Sequence, residues 1–244
     1  MKYIGSKNRI IKYIKPIIQS YINENTVAYI EPFVGGANSI IEIECKKRIG
    51  IDIEPLVIAL LKKVQQDLSW FDKLPNILDK EHYYEVKESD NYSLEYKAAI
   101  LYFGSYNARL DGYYGAISKT KNDNVRNYFQ EAKNNLIKQS KYLKDINFYN
   151  YDYKKLSKKI NNCVIYCDPP YKNSYYKDKV YNNNGFDYEQ YYNWCMDMSK
   201  NNIVLMSEYE MPNYFKCIWS KEHYTSMDNL NNKKSRIEKL YIVS

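Results

Sequence analysis

The sequence predicts an α/β protein built on a parallel sheet, and three observations carry that expectation. Strand-length apolar runs alternate with segments of helical periodicity over the first 66 residues. The first such run ends in a Gly-rich turn that leads toward a helix, as in a parallel strand–turn–helix unit. Strand-length apolar runs then return after residue 145, once a long polar stretch has passed.

The elements follow in order. After "YIGSK", Ile10, Ile11, Ile14, Ile17, Ile18 and Ile22 recur at helical spacing, with Ser6 as N-cap and Pro16 expected to kink or split the helix. "TVAYI" (26–30) reads as a buried strand, "EPFVGGANS" as a turn and Ile40 to Lys46 as a helix. "RIGID" (48–52) is a second strand and "EPLVIALLKKVQQ" a second helix. Residues from about 70 to 145 change character and read as mostly helical and polar, with tyrosines and lysines interleaved. Strands are expected again at "INFYN" (146–150), "NCVIYC" (162–167), "NIVLMS" (202–207), "YFKCIWS" (214–220) and "IEKLYIV" (237–243), with a helix from near Asp187. The simplest architecture is one α/β domain over 1–69 and 146–244, with 70–145 inserted into it.

Composition bounds the function classes. At 244 residues with 45% hydrophobic content, a sizeable core is expected and disorder is not. The net charge of +7 points toward a polyanionic partner. The 29 tyrosines suit strand surfaces and base-stacking surfaces, although the joint abundance of Lys, Asn, Ile and Tyr also fits an AT-rich genome. Five cysteines without a CxxC pair fit a reducing cytoplasm; Cys163 and Cys167 read as buried thiols on one face of a strand. His82 and His223 form no metal pattern. Lysines break every apolar run near the start, and no run approaches membrane-spanning length, so a soluble, intracellular protein is expected.

Two motifs carry chemistry. In "EPFVGGANS", Gly35 and Gly36 permit a tight turn and close approach of a ligand to backbone. Asp52 ends the next strand, 21 residues after Glu31. A carboxylate there accepts hydrogen bonds from both hydroxyls of a ribose. The second motif is "VIYCDPPY". Asp168 precedes a proline and is pushed to extended backbone, and Pro169 and Pro170 lack N–H groups, so ladder pairing stops. One turn thus offers a carboxylate, a fixed carbonyl and the Tyr171 ring. Two acceptors suit the two N–H donors of an exocyclic amine, and the ring suits stacking on a base. The plainer alternatives are a simple Gly turn, a helix-capping Asp52 and a structural Pro-Pro loop.

With these motifs the chain resembles the Dam-type DNA adenine N6-methyltransferases, particularly the short forms of bacteriophages and their hosts. "KYIGSKNRI", "EPFVGGANS", "GIDIEP", "CDPPY", "LMSEYEMP" and "RIEKLYIVS" match the family in place and order, over nearly the whole chain. The resemblance implies a Rossmann-like, class I S-adenosylmethionine-dependent methyltransferase sheet with a mainly helical target-recognition insertion. It implies S-adenosyl-L-methionine as cofactor, double-stranded DNA as partner, no metal, and a cytoplasmic setting in a prokaryotic cell or phage-infected host.

Residue by residue, the resemblance implies cofactor roles for Tyr3, Lys7 (near the methionine carboxylate), Glu31, Pro32, Phe33, Gly35, Gly36 and Asp52. Asp152 and Tyr153 match a short "DY" element, with Asp152 accepting from the cofactor's adenine amine. Asp168, also at the cofactor's edge, and the Pro169 carbonyl would hold the target N6, followed by Pro170 and the stacking Tyr171. The base must be flipped to reach them. In the inserted region, Arg109 is a candidate for guanine, Asn107, Tyr113 and Tyr114 for wedging or base edges, and Lys119, Lys121 and Arg126 for phosphates. "SYNARLDGYYGA" replaces a Gly- and Trp-containing stretch of many phage members, so a GATC target does not follow. The segment from Lys172 to Gly185 is a candidate cover for the flipped base. Two other readings stay open at this point: methylation of RNA or protein amides, and a DNA-binding module without catalysis.

Overall fold

A computed structural model describes residues 1–119, 124–172, 185–224 and 235–243. Nine strands are formed among these residues. Seven make one sheet: β1 (Ala28–Glu31), β2 (Arg48–Asp52), β5 (Ile146–Asn150), β6 (Cys163–Cys167), β7 (Ile203–Glu208), β8 (Phe215–Tyr224) and β9 (Ser235–Val243). Their order is β5-β2-β1-β6-β7-β9-β8, parallel from β5 through β7, with β9 antiparallel to both neighbours. The remaining two, β3 (Ile117–Lys119) and β4 (Val125–Asn127), form a separate antiparallel pair.

The sheet is covered on both faces, which explains why its central strands read as unbroken apolar runs. In β6, Val164 and Tyr166 join one core, and Cys163, Ile165 and Cys167 join the other. The first core also takes Ile14 and Ile18 of α1 (Ile11–Ser20) and Leu60 and Leu61 of α2 (Pro55–Gln66). The second is closed by α6 (Tyr188–Ser199), through Tyr191, Trp194, Cys195 and Met198. Asp187 caps α6 by accepting from Gln190 N at 2.9 Å.

Residues 80–140 supply α3 (Lys80–Glu88), α4 (Leu94–Gly104) and α5 (Tyr128–Ser140). Ala98 through Gly104 of α4 are all buried, as befits a helix apolar on every side. Phe103 and Phe129 lie in the same apolar cluster as Ile14, Tyr29 and Tyr166, so this segment shares the core of the sheet.

Two local expectations change. Ile40 to Lys46 does not form a helix; only Ile40–Glu42 make a 3-10 turn. The side-chain amide of Gln19 binds both the N–H and the carbonyl of Glu44, at 3.0 and 2.9 Å, and holds the chain extended where β-branched isoleucines already disfavour a helix. Pro16 neither ends nor splits α1, which runs through it; Ser6 instead caps a 3-10 turn (Lys7–Arg9) ahead of α1.

The centre of the sheet is packed to its limit. A Cβ on Gly50 would meet Phe148 Cδ1 and Val34 Cγ2 at 2.8 Å. Gly50→Ala should therefore lower unfolding stability by about 1–3 kcal/mol, measured by urea titration, with the same fold.

Candidate active site

The strand order reverses between β1 and β6, and open α/β sheets bind ligands in the crevice outside the carboxyl ends of their strands at such a switch point. Both motifs meet there. Glu31 ends β1, and Cys167 ends β6 immediately before Asp168.

On the β1 side, Val34 N bonds the Ile51 carbonyl at 2.8 Å and draws the turn over the end of β2. Gly35 sits at φ +47° and Ala37 at φ +57°, the left-handed conformations that such a turn requires. Asp52 accepts from Gly35 N at 2.9 Å and from Glu54 N at 3.0 Å. It thereby ties the turn to the start of α2, with lone pairs left over for a diol. Burial pushes its carboxyl up to about 6, against the pull of those amides. Glu31 is buried and accepts from the Tyr29 and Ser39 hydroxyls, each at 2.8 Å. Burial raises it to about 8. The Tyr3 ring covers the turn, within 2.6 Å of where a Cβ on Gly35 would lie. Pro32 is buried; Phe33 is half-buried, with its ring 5.1 Å from that of Tyr153. Asp152 caps the 3-10 turn Tyr153–Lys155, accepting from Lys154 N at 2.9 Å, and also meets Lys154 Nζ at 3.2 Å.

On the β6 side, Asp168 meets Lys7 rather than standing alone. Lys7 Nζ lies 2.7 Å from Asp168 Oδ1 and 3.4 Å from Glu238 Oε1. It also sits 4.4 Å from the centre of the Tyr171 ring. Burial alone would lower the lysine pKa; the two carboxylates outweigh it and hold Lys7 above its ordinary range. Burial pushes Asp168 up to about 6, with Lys7 pulling against it. Tyr171 is buried, donates its hydroxyl to Glu238 and packs edge-on against Tyr209 at 4.7 Å. Glu208, at the end of β7, accepts from Lys172 N at 3.0 Å and Tyr209 N at 2.7 Å. Of the carbonyls expected to face a ligand, that of Pro170 accepts from the Tyr188 hydroxyl at 2.7 Å. Of the candidate cover, Lys172 to Gly185, residues 173–184 lie outside the described residues.

Lys7, Glu31, Asp52, Asp168 and Tyr171 thus share one end of the sheet. Glu238, Glu208 and Tyr209 join them and were not singled out from the sequence. "LMSEYEMP" and "RIEKLYIVS" contain all three, but only the pairing of β7 with β9, Glu208 opposite Lys239, brings those motifs together.

The second group lies on the inserted segment. Tyr106 and Tyr113 stack face to face, centres 5.2 Å apart at 9°, and are 51% and 60% exposed. The bridge Ser105–Tyr114 closes the turn between them, and Tyr83 and Lys87 brace it by donating to the Gly112 carbonyl at 3.0 and 2.6 Å. Asn107 is exposed at φ +58°. Tyr114 turns inward and donates to the Leu78 carbonyl at 2.6 Å; Tyr106 stands outward instead. Arg109 forks onto Asp111 at 3.0 and 2.5 Å, and Arg126 onto Glu131 at 2.7 and 2.9 Å. Lys119 is exposed, and Lys121 lies outside the described residues. Among the described residues no group of His, Cys, Asp and Glu is arranged to hold a metal, and no helix is long and apolar enough to cross a membrane.

The profile of the D12 class N6 adenine-specific DNA methyltransferases matches residues 3–233 of this chain. No curated protein matches it. Similar solved structures include a putative methyltransferase, yhhF, from Escherichia coli, 8% identical over 98% of this chain and 83% of that one, with a TM-score of 0.40. A conserved hypothetical protein from Streptococcus pyogenes is 7% identical over 96% of each chain, with a TM-score of 0.39.

Proposed function

The chain belongs to the D12 class of N6 adenine-specific DNA methyltransferases, and on that premise we propose how its residues divide the work. The protein methylates adenine N6 at specific sites in DNA and draws the methyl group from S-adenosylmethionine. When bound, this cofactor supplies a methyl already activated on a sulfonium.

The donor set on the β1 side fits that cofactor. The Asp52 carboxylate, flanked by two backbone amides, takes the ribose hydroxyls. The Gly35–Gly36 backbone and Glu31 line the methionine end, and Phe33 with Tyr153 makes an aromatic wall at the base. Asp168 and the Pro169 carbonyl accept the two N–H bonds of the target amine. That pairing would localise the nitrogen lone pair for the new N–C bond, formed as the donor methyl's C–S bond breaks and leaves a neutral thioether, and the Asp168 carboxylate would take the proton that N6 then sheds. Lys7 belongs with this pocket, since its ammonium lies on Asp168. Tyr113 with Tyr106 presents a stacked aromatic edge to the duplex, and Arg109, Arg126 and Lys119 supply cations for guanine or phosphates. Cysteines left unpaired suit a reducing cytoplasm, in a prokaryotic cell or a phage-infected host.

The observation that carries the reading is the convergence of the β1 turn, Asp52 and the Asp168 loop on one switch point. Tritiated S-adenosylmethionine and mixed-sequence duplex DNA test it. Label is expected in N6-methyldeoxyadenosine; label confined to RNA or protein acceptors, or none, overturns it.

The pH dependence follows from Asp168. Ionised, it is the stronger acceptor and can take the proton N6 sheds, so kcat/KM should be full above its pKa and decline as pH falls through about 6. A profile flat down to pH 4.5 would remove Asp168 as the acceptor.

A further inference from the structure

The charges around Lys7 do not balance. One ammonium is shared by two carboxylates, those of Asp168 and Glu238, and Glu208 lies close enough to feel both Asp168 and Lys7. A buried lysine needs one acid for charge neutrality, and each further buried carboxylate adds a desolvation cost. Stability alone does not call for the second acid.

The resting geometry is also wrong for chemistry. Lys7 lies on Asp168 Oδ1 and so competes for one of the two oxygens that can accept the target amine. Its charge further opposes the positive charge that N6 carries between gaining the methyl and losing its proton. The ammonium has a second carboxylate within reach. Glu238 Oε1 stands at 3.4 Å, and closing that gap to the 2.7 Å already made with Asp168 needs only a small shift along the Tyr171 ring face. Glu238 is 4% exposed, and its strand is hydrogen-bonded on both sides, by β7 and β8, so the carboxylate is held on a fixed backbone. The same Oε1 accepts the Tyr171 hydroxyl.

We propose that Glu238 is a positioning residue for methyl transfer: it draws Lys7 off Asp168 as the target amine arrives, and it anchors the Tyr171 ring while the exchange takes place. The proposal rests on the adenine methyltransferase reading. Glu238 acts through Lys7 and Tyr171 and touches neither the amine nor the methyl group.

The test compares the parent with Glu238→Gln, which keeps an acceptor for Tyr171 but removes the charge that attracts Lys7. Single-turnover methylation of a duplex the parent modifies should slow ~10-fold or more, while affinity for S-adenosylmethionine stays within about twofold. The acid limb of kcat/KM should also move to lower pH. Around Asp168 lie Lys7, Glu238, Glu208, Glu31, Tyr166 and Tyr171, and removing one negative neighbour makes Asp168 easier to ionise. Glu238→Asp should recover part of the rate. In a Tyr171→Phe background, Glu238→Gln should cost about as much as in the parent, because the substitution acts on Lys7 and leaves the Tyr171 contact in place. A Glu238→Gln enzyme with parental rate and an unmoved limb overturns the proposal. So does a rate loss matched by an equal loss of cofactor affinity, which marks a merely structural residue. A parent that labels no DNA fails one step earlier and overturns the reaction itself.

Discussion

An Asp168→Ala enzyme should bind S-adenosylmethionine and DNA, yet transfer methyl groups at least ~10³-fold more slowly than the parent, measured by single-turnover label incorporation. On the proposed reading the carboxylate accepts an N–H of the target amine, which keeps the nitrogen lone pair available, and receives the proton released afterwards. Pro169 would offer its carbonyl as the other acceptor, without a charge to stabilise a cationic nitrogen. Folding should survive, because Lys7 keeps Glu238 as a partner at 3.4 Å. Retention of full activity would sink the assignment of this loop as the catalytic one.

Asp52→Ala should act at the other end of the crevice. Each hydrogen bond to a charged acceptor is worth roughly 1.5–3 kcal/mol, so loss of the ribose contact should weaken cofactor binding by roughly 10- to 100-fold by calorimetry. A modest loss of stability should accompany it, since Gly35 N and Glu54 N both donate to this side chain. The methylation rate at saturating cofactor should fall much less. If affinity is unchanged, Asp52 serves only to tie the Gly turn to α2.

Much of this frame is legible in the sequence. "RIGID" and "INFYN" coincide with β2 and β5 because each is a short run ended by polar residues or a turn. β8 extends to Tyr224, beyond the apolar run that predicts it, because backbone pairing with β9 continues through Lys221 and Glu222. Propensity sees side chains, and that pairing is made by the main chain. The predicted helix over 40–46 fails for a tertiary reason, the clamp of Gln19 on Glu44. At the site, residues inside one motif are visible because their spacing is local. Glu238 is not, because its meeting with Tyr171 depends on which strand lies beside β7. Tyr106 is not visible either, because its partner, Tyr113, lies across a turn whose closure no periodicity reveals.

The insertion of β9 between β7 and β8 bears on how the enzyme comes into being. Chain synthesis is vectorial, and Asp168 leaves the ribosome well before Glu238. Until β9 threads between its neighbours, Lys7 and Tyr171 have no Glu238 to meet, whereas the Gly turn and Asp52 draw only on residues made long before. Non-local contacts of this kind form late. The Asp168 end of the site is thus complete only once β9 has paired with β7, after the other residues around it have been synthesised.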